Sequence, residues 1–154
     1  MIAGRRPARR SAASALPNSS TSELSAGRLL LDTHVWLWWQ SGDARLGQQA
    51  LALLQRASEV HFSAASVWEM SIKASIGKLR LPPNADIAAE LAHAGFRALS
   101  VEIDHAVAVQ HLPLLHRDPF DRLLVAQAQL EGLTLVTANV ALAAYDVPIV
   151  DATK

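Results

Sequence analysis

Cysteine is absent from all 154 residues. That excludes disulfides and thiolate metal sites, so any metal must be held by oxygen or histidine nitrogen. It also fits a reducing compartment. No apolar run approaches the ~20 residues that cross a bilayer, so no membrane segment is expected. The phosphate-binding patterns GxxxxGK and GxGxxG are missing, as are HExxH and GxSxG. Nucleotide-binding, zinc-protease and serine-hydrolase motifs are therefore not available. An excess of one charge is missing too, because 14 basic side chains balance 14 acidic ones. The balance is uneven along the chain. Residues 1–27 carry four arginines and one glutamate, a net +3, which leaves residues 28–154 with a net −3. A neutral-to-acidic body is no general sponge for nucleic acid, so any such ligand must be held locally, with help from a cation.

What is present is enough apolar material for one domain, with 51% of residues hydrophobic. Residues 1–27 are rich in Ala, Ser, Arg and Pro and lack hydrophobic period; they read as a disordered basic extension. They have no apolar secretory core. The folded domain is expected over 28–154. Its organising stretch is RLLLDTHVWLWWQ, residues 28–40. The short apolar run Leu29–Leu31 reads as a central strand buried on both faces. Asp32 then falls at the carboxyl end of that strand, where open α/β sheets bind ligands. It is either a helix N-cap or a metal ligand.

The remaining pattern alternates. Helical periodicity covers 33–40 and 46–57, and Val60–Phe62 is a strand. Ser63 and Ser66 both suit the cap of the helix that ends at Gly77. Gly77–Pro83 is a basic turn. Asp86–Ala94 is helical, Phe96–Val101 extended, and Asp104–His111 a short helix. Asp118 and Pro119 open a helix over 119–131, which Gly132 closes. Strands follow at Leu133–Val136 and Val147–Val150, with a helical turn between them. Strands alternating with helices predict an α/β fold with a mainly parallel sheet of four or five strands between helical layers.

Four acids sit at equivalent places, at strand-to-helix junctions or in first helical turns: Asp32, Glu69, Asp118 and Asp121. Each has a structural explanation. Ser66 and Glu69 match a capping box, Asp118 can cap, and Asp121 can favour the helix dipole. Together they allow another one. Two carboxylates ~5 Å apart repel by roughly 3 kcal/mol at an effective dielectric near 20. A divalent cation removes that repulsion, and oxygen ligands select Mg²⁺ or Mn²⁺. Such an ion activates water and steadies charge on a phosphodiester, which is nuclease chemistry.

The segments LLLDTHVWLWW, SVWEMSIKASIGKLRLP, LPLLHRDPFDRLLVAQAQLEGLTLVTAN and YDVPIV, in that order, closely resemble the PIN-domain toxins of the VapC type. The resemblance covers about residues 28–151. It implies a PIN-like fold and a Mg²⁺- or Mn²⁺-dependent endoribonuclease, the toxin of a bacterial toxin–antitoxin pair. A VapB-like antitoxin, RNA as substrate, a homodimer and a cytoplasmic location are implied with it. Carried over position by position, Asp32, Glu69 and Asp121 are the family's acids, and Asp118 is an extra acid of the DPFDR subgroup. The family often has Asp where this chain has Asn139, which brings no charge. Thr33 and Thr137 would orient ligands or water. Arg117, Arg122, Lys73 and Lys78 are candidate phosphate contacts, although Arg122 can equally pair with an acid inside the protein. His34 and His116 adjoin the acids and can shuttle a proton or simply pack. Trp36 and Trp39 share a helix face that is core or a base-stacking surface. With the helix over 66–77, that face is also a candidate antitoxin surface. Two other readings remain open. One is a PIN-like binding module without strong catalysis. The other is a phosphotransferase with Asp32 as nucleophile, although His34 stands where such enzymes carry a second Asp.

Overall fold

A computed structural model describes residues 27–154. The extension expected over 1–27 lies, apart from Gly27, outside the described residues. The sheet has five strands: β1 (Arg28–Leu31), β2 (Glu59–Ser63), β3 (Arg97–Leu99), β4 (Thr134–Thr137) and β5 (Ile149–Asp151). Their order is β3-β2-β1-β4-β5, and every pair is parallel. The helices are α1 (Thr33–Ser41), α2 (Gln48–Arg56), α3 (Ala64–Ser75), α4 (Ile87–Ala94), α5 (Ile103–Ala108) and α6 (Pro119–Glu131).

The apolar run before Asp32 does form the central strand. Its side chains alternate between two cores, as a pleated strand requires. Leu29 and Leu31 point into one core with Trp36, Leu54, Phe62 and Phe96. Leu30 points into the other with Leu124, Val125, Leu135 and Leu142. Burial on both faces explains why β1 shows no polar alternation.

The tryptophans of α1 are chiefly structural. Trp36 is buried and stacks on Trp39, with centroids 5.8 Å apart. Phe62 and Phe96 close on Trp36 at 5.4 Å and 5.6 Å. A base-stacking role for the 36/39 face is thereby replaced by core packing.

Topology also creates a place for a ligand. The chain builds outward from β1 through β2 to β3, then returns to lay β4 on the opposite side of β1. The direction of winding reverses between β1 and β4, and the loops leaving their carboxyl ends diverge there to form a crevice. Asp32 directly follows β1, and Thr137 ends β4.

Candidate active site

Asp32 occupies the N-cap position of α1, but its carboxylate does not cap. Its main-chain carbonyl accepts from Val35 and Trp36, so the backbone performs the helix start. The side chain turns into the crevice, where Thr137 Oγ1 donates to Asp32 Oδ2 at 2.7 Å. That bond spans the β1–β4 switch point. The residue is 7% exposed. Burial pushes its pKa up, and the Thr137 bond, His34 and the Thr33 amide oppose the rise only in part.

Glu69 lies on α3 and does not close a capping box. The cap of α3 is Ser63, whose hydroxyl accepts from the Ala65 amide at 3.0 Å. Ser66 is inside the helix, and its buried hydroxyl has no hydrogen-bond partner among the described residues. Glu69 is left for other partners, and its charge helps to raise the pKa of Asp32. Thr33 Oγ1 donates to its Oε2 at 3.0 Å, and Lys73 Nζ donates to its Oε1 at 2.9 Å. Lys73 is therefore committed to an acid rather than free for phosphate. The i,i+4 spacing of Glu69 and Lys73 was the available signal for that pairing.

Asp121 and Asp118 divide the work at the start of α6. Asp118 caps the helix, with Oδ1 accepting from the amides of Phe120 and Asp121 at 2.8 Å and 3.2 Å. Its exposed position and this bond make it a helix cap first. Asp121 points inward, and its Oδ2 lies 2.8 Å from His116 Nε2 and 3.5 Å from Asn139 Nδ2. Asn139 is placed by its own amide, which donates to Thr137 Oγ1 at 3.0 Å. Burial raises the pKa of Asp121, and the charge of Asp32 is the next cause. Asp118 adds to the rise, and His116 opposes it. The charge of Asp32 thus reaches Asp121, a residue 89 positions further along the chain.

Two expected phosphate contacts are re-assigned by their surroundings. Arg122 is buried, and among the described residues it meets no acid. Its guanidinium donates to the main-chain carbonyls of Val109, Leu112, Pro113 and His116 and to the Tyr145 hydroxyl. It clasps the 109–116 segment to α6. Neither a phosphate contact nor an internal ion pair describes it. Arg117 and Lys78 remain exposed. His34 is exposed as well.

The donor set suits a hard divalent ion: carboxylate, amide and hydroxyl oxygens, with two carboxylates whose charged forms are disfavoured by burial, that of Asp121 also by the charge of Asp32. Among the described residues, no three acidic or imidazole side chains are already drawn together as a cage. Mg²⁺ does not need one, since it usually binds one or two carboxylates and keeps several waters.

Comparisons with known proteins identify the family. The PIN-domain family model matches residues 29–148, and the chain belongs to that family. Within the family it falls among the VapC-type toxins. It is 30% identical to ribonuclease VapC22 of Mycobacterium tuberculosis over 114 residues, covering 72% of this chain and 86% of that protein. The fold is similar to that of VapBC2 from Rickettsia felis, solved with a promoter DNA fragment. There the TM-score is 0.63 at 16% identity, with 80% of this chain and 97% of that chain covered. DNA-bound VapBC from Salmonella typhimurium gives a TM-score of 0.57 at 16% identity, covering 80% and 96%.

Proposed function

We propose that the protein is a Mg²⁺- or Mn²⁺-dependent endoribonuclease and the toxin of a toxin–antitoxin pair. The observation that carries this reading is geometric: Thr137 joins Asp32 to the end of β4, and Asn139, bonded to Thr137, reaches Asp121, so the two carboxylates meet at the switch point of the sheet. Membership of the VapC-type toxins supports it.

Asp32 and Asp121 would hold the cation, with Glu69 completing or orienting its surroundings. When bound, the ion supplies Lewis-acid activation of water and neutralises charge developing on a phosphodiester. The rest falls to the protein. Thr137 fixes one oxygen of Asp32, and Thr33 and Lys73 fix both oxygens of Glu69. These bonds set which lone pairs face the crevice. His116 and Asn139 hold Oδ2 of Asp121. Arg117 and Lys78 are left to meet RNA phosphates. The substrate is RNA, the partner is a VapB-like antitoxin, and the toxin is a homodimer in the bacterial cytoplasm. Among the described residues, no helix is long and apolar enough to cross a membrane. Of the two candidate antitoxin surfaces, α3 is the one with an open apolar face, formed by Trp68, Ile72 and Ile76.

The test is cleavage of single-stranded RNA by purified protein with Mg²⁺ or Mn²⁺, stopped by EDTA. Asp32→Asn should lower the rate roughly a thousandfold, the scale of several kcal/mol of lost charge stabilisation. Asn139, at a position where a further acid is common, favours one competing reading: a PIN-like module that binds a partner without catalysis. Calorimetric titration with Mn²⁺ separates the two, since absence of heat at millimolar metal would favour the module.

A further inference from the structure

The described part of the chain has more acids than bases, yet four of its ten lysines and arginines line a single groove. The groove, of about 580 Å³, runs between α1 and the turn after α3. Arg45, Lys73, Lys78 and Arg80 border it, against one acid, Asp43. A second surface groove of about 600 Å³, beside α4, is bordered instead by Asp86, Glu90 and His93. The basic groove also opens onto the acid site, since Thr33 and Lys73 belong to its wall and both bond Glu69.

Its cations are not equivalent. Lys73 is held by Glu69, and Arg45 by Asp43 at 2.7 Å. Lys78 and Arg80 have no side-chain partner among the described residues. Arg45 is fixed as a plane, with its guanidinium 5.1 Å from the Trp38 ring centroid. The His34 ring stands 6.3 Å from Trp38. Two unpaired cations beside two flat groups match an alternation of phosphate and base.

We infer that this groove seats the RNA strand on one flank of the scissile phosphate, with Lys78 and Arg80 on its phosphates and a base stacked against Arg45 or His34. Asp43 and Trp38 act as positioning residues that hold the Arg45 plane. The inference deepens the nuclease reading and rests on it for the identity of the strand.

The test is fluorescence anisotropy of a labelled single-stranded RNA on the full chain, in an Asp32→Asn background that prevents cutting. The double variant Lys78→Ala/Arg80→Ala should weaken binding roughly tenfold and flatten the log–log salt dependence by about 1.4, the loss of two single-strand phosphate contacts. Arg56→Ala removes an exposed cation on α2, outside the groove, and should change affinity less than about twofold. Arg45→Lys keeps the charge but removes the plane, and should weaken binding by a factor of about three to ten. In the cleaving protein the double variant should raise KM and keep kcat. Equal effects from Arg56 and from the groove pair, or an unchanged affinity and KM, would overturn the inference. So would unaltered RNA binding with loss of poly-glutamate binding, which would mark an acidic-peptide site. RNA held through the groove without any cutting would sink the nuclease reading and leave the groove standing. Cutting with a groove-independent KM would do the reverse.

Discussion

Single residues carry the strongest tests. Asp32 and Asp121 have pKa values raised by burial in the fold, so their charged forms oppose folding at neutral pH. The opposition vanishes as pH falls toward the ordinary carboxylate value near 4, where the unfolded chain also binds protons. Asp32→Asn should therefore stabilise the metal-free protein at pH 7, and the gain should disappear near pH 4. A urea-denaturation series across that range measures it. A loss of stability at pH 7 would mean that the bond from Thr137 to the charged carboxylate outweighs the cost of burying it. Glu59 has the opposite sign. Arg28 and His61 hold its carboxylate down to about 2. Its contribution is present above pH ~4.5 and lost as pH falls toward 2. Glu59→Gln should lower the urea midpoint at pH 7 and reduce the acid-side loss seen in the wild type. Arg122→Ala removes a buried cation from four carbonyls and should destabilise by about 3 kcal/mol, and Arg122→Lys should not restore the fork.

Among the elements, those governed by local pattern were the most legible. The start and end of α6 follow from Asp118, Pro119 and Gly132, and the structure has its cap, first residue and left-handed terminator at those positions. The central strand followed from an unbroken apolar run. What sequence could not settle was set by distant partners. SAASVWE offers two capping serines, and the choice of Ser63 turns on its hydroxyl also donating to Gln127 of α6 at 2.6 Å. The inward turn of Arg122 depends on carbonyls 6 to 13 residues away, which no local spacing announces. The acids themselves were legible as types in equivalent positions. Their mutual coupling was not, because it depends on β4 lying beside β1. On α3 and its C-cap, Trp68, Ile72 and Ile76 recur at helical spacing and stay exposed, with Trp68 packed edge-on to Phe120 at 5.3 Å. Ile72→Asp should leave RNA cleavage intact and weaken antitoxin inhibition by about 2 kcal/mol, read as a shift of the inhibition curve.

At the scale of the whole molecule, the cation and the fold should be linked. An ion that binds the folded form stabilises it by about 2.7 kcal/mol at a hundred times its Kd. Thermal melts with increasing Mn²⁺ should rise for the wild type and stay flat for Asp32→Asn. A rise of equal size in both would place the ion elsewhere. The same melts on Asn139→Asp should show a steeper metal dependence, since a further carboxylate would face Asp121.

The clasp made by Arg122 has one more outcome. Asp121 and Arg122 are adjacent, yet one looks into the crevice and the other grips the segment that delivers His116 to it. Neighbouring positions of a single helical turn therefore assemble one wall from both sides. In hydrogen exchange, the amides of 109–116 and of the first turn of α6 should open together, as one cooperative unit. A protein that pries that segment loose would disarm the wall without touching a carboxylate.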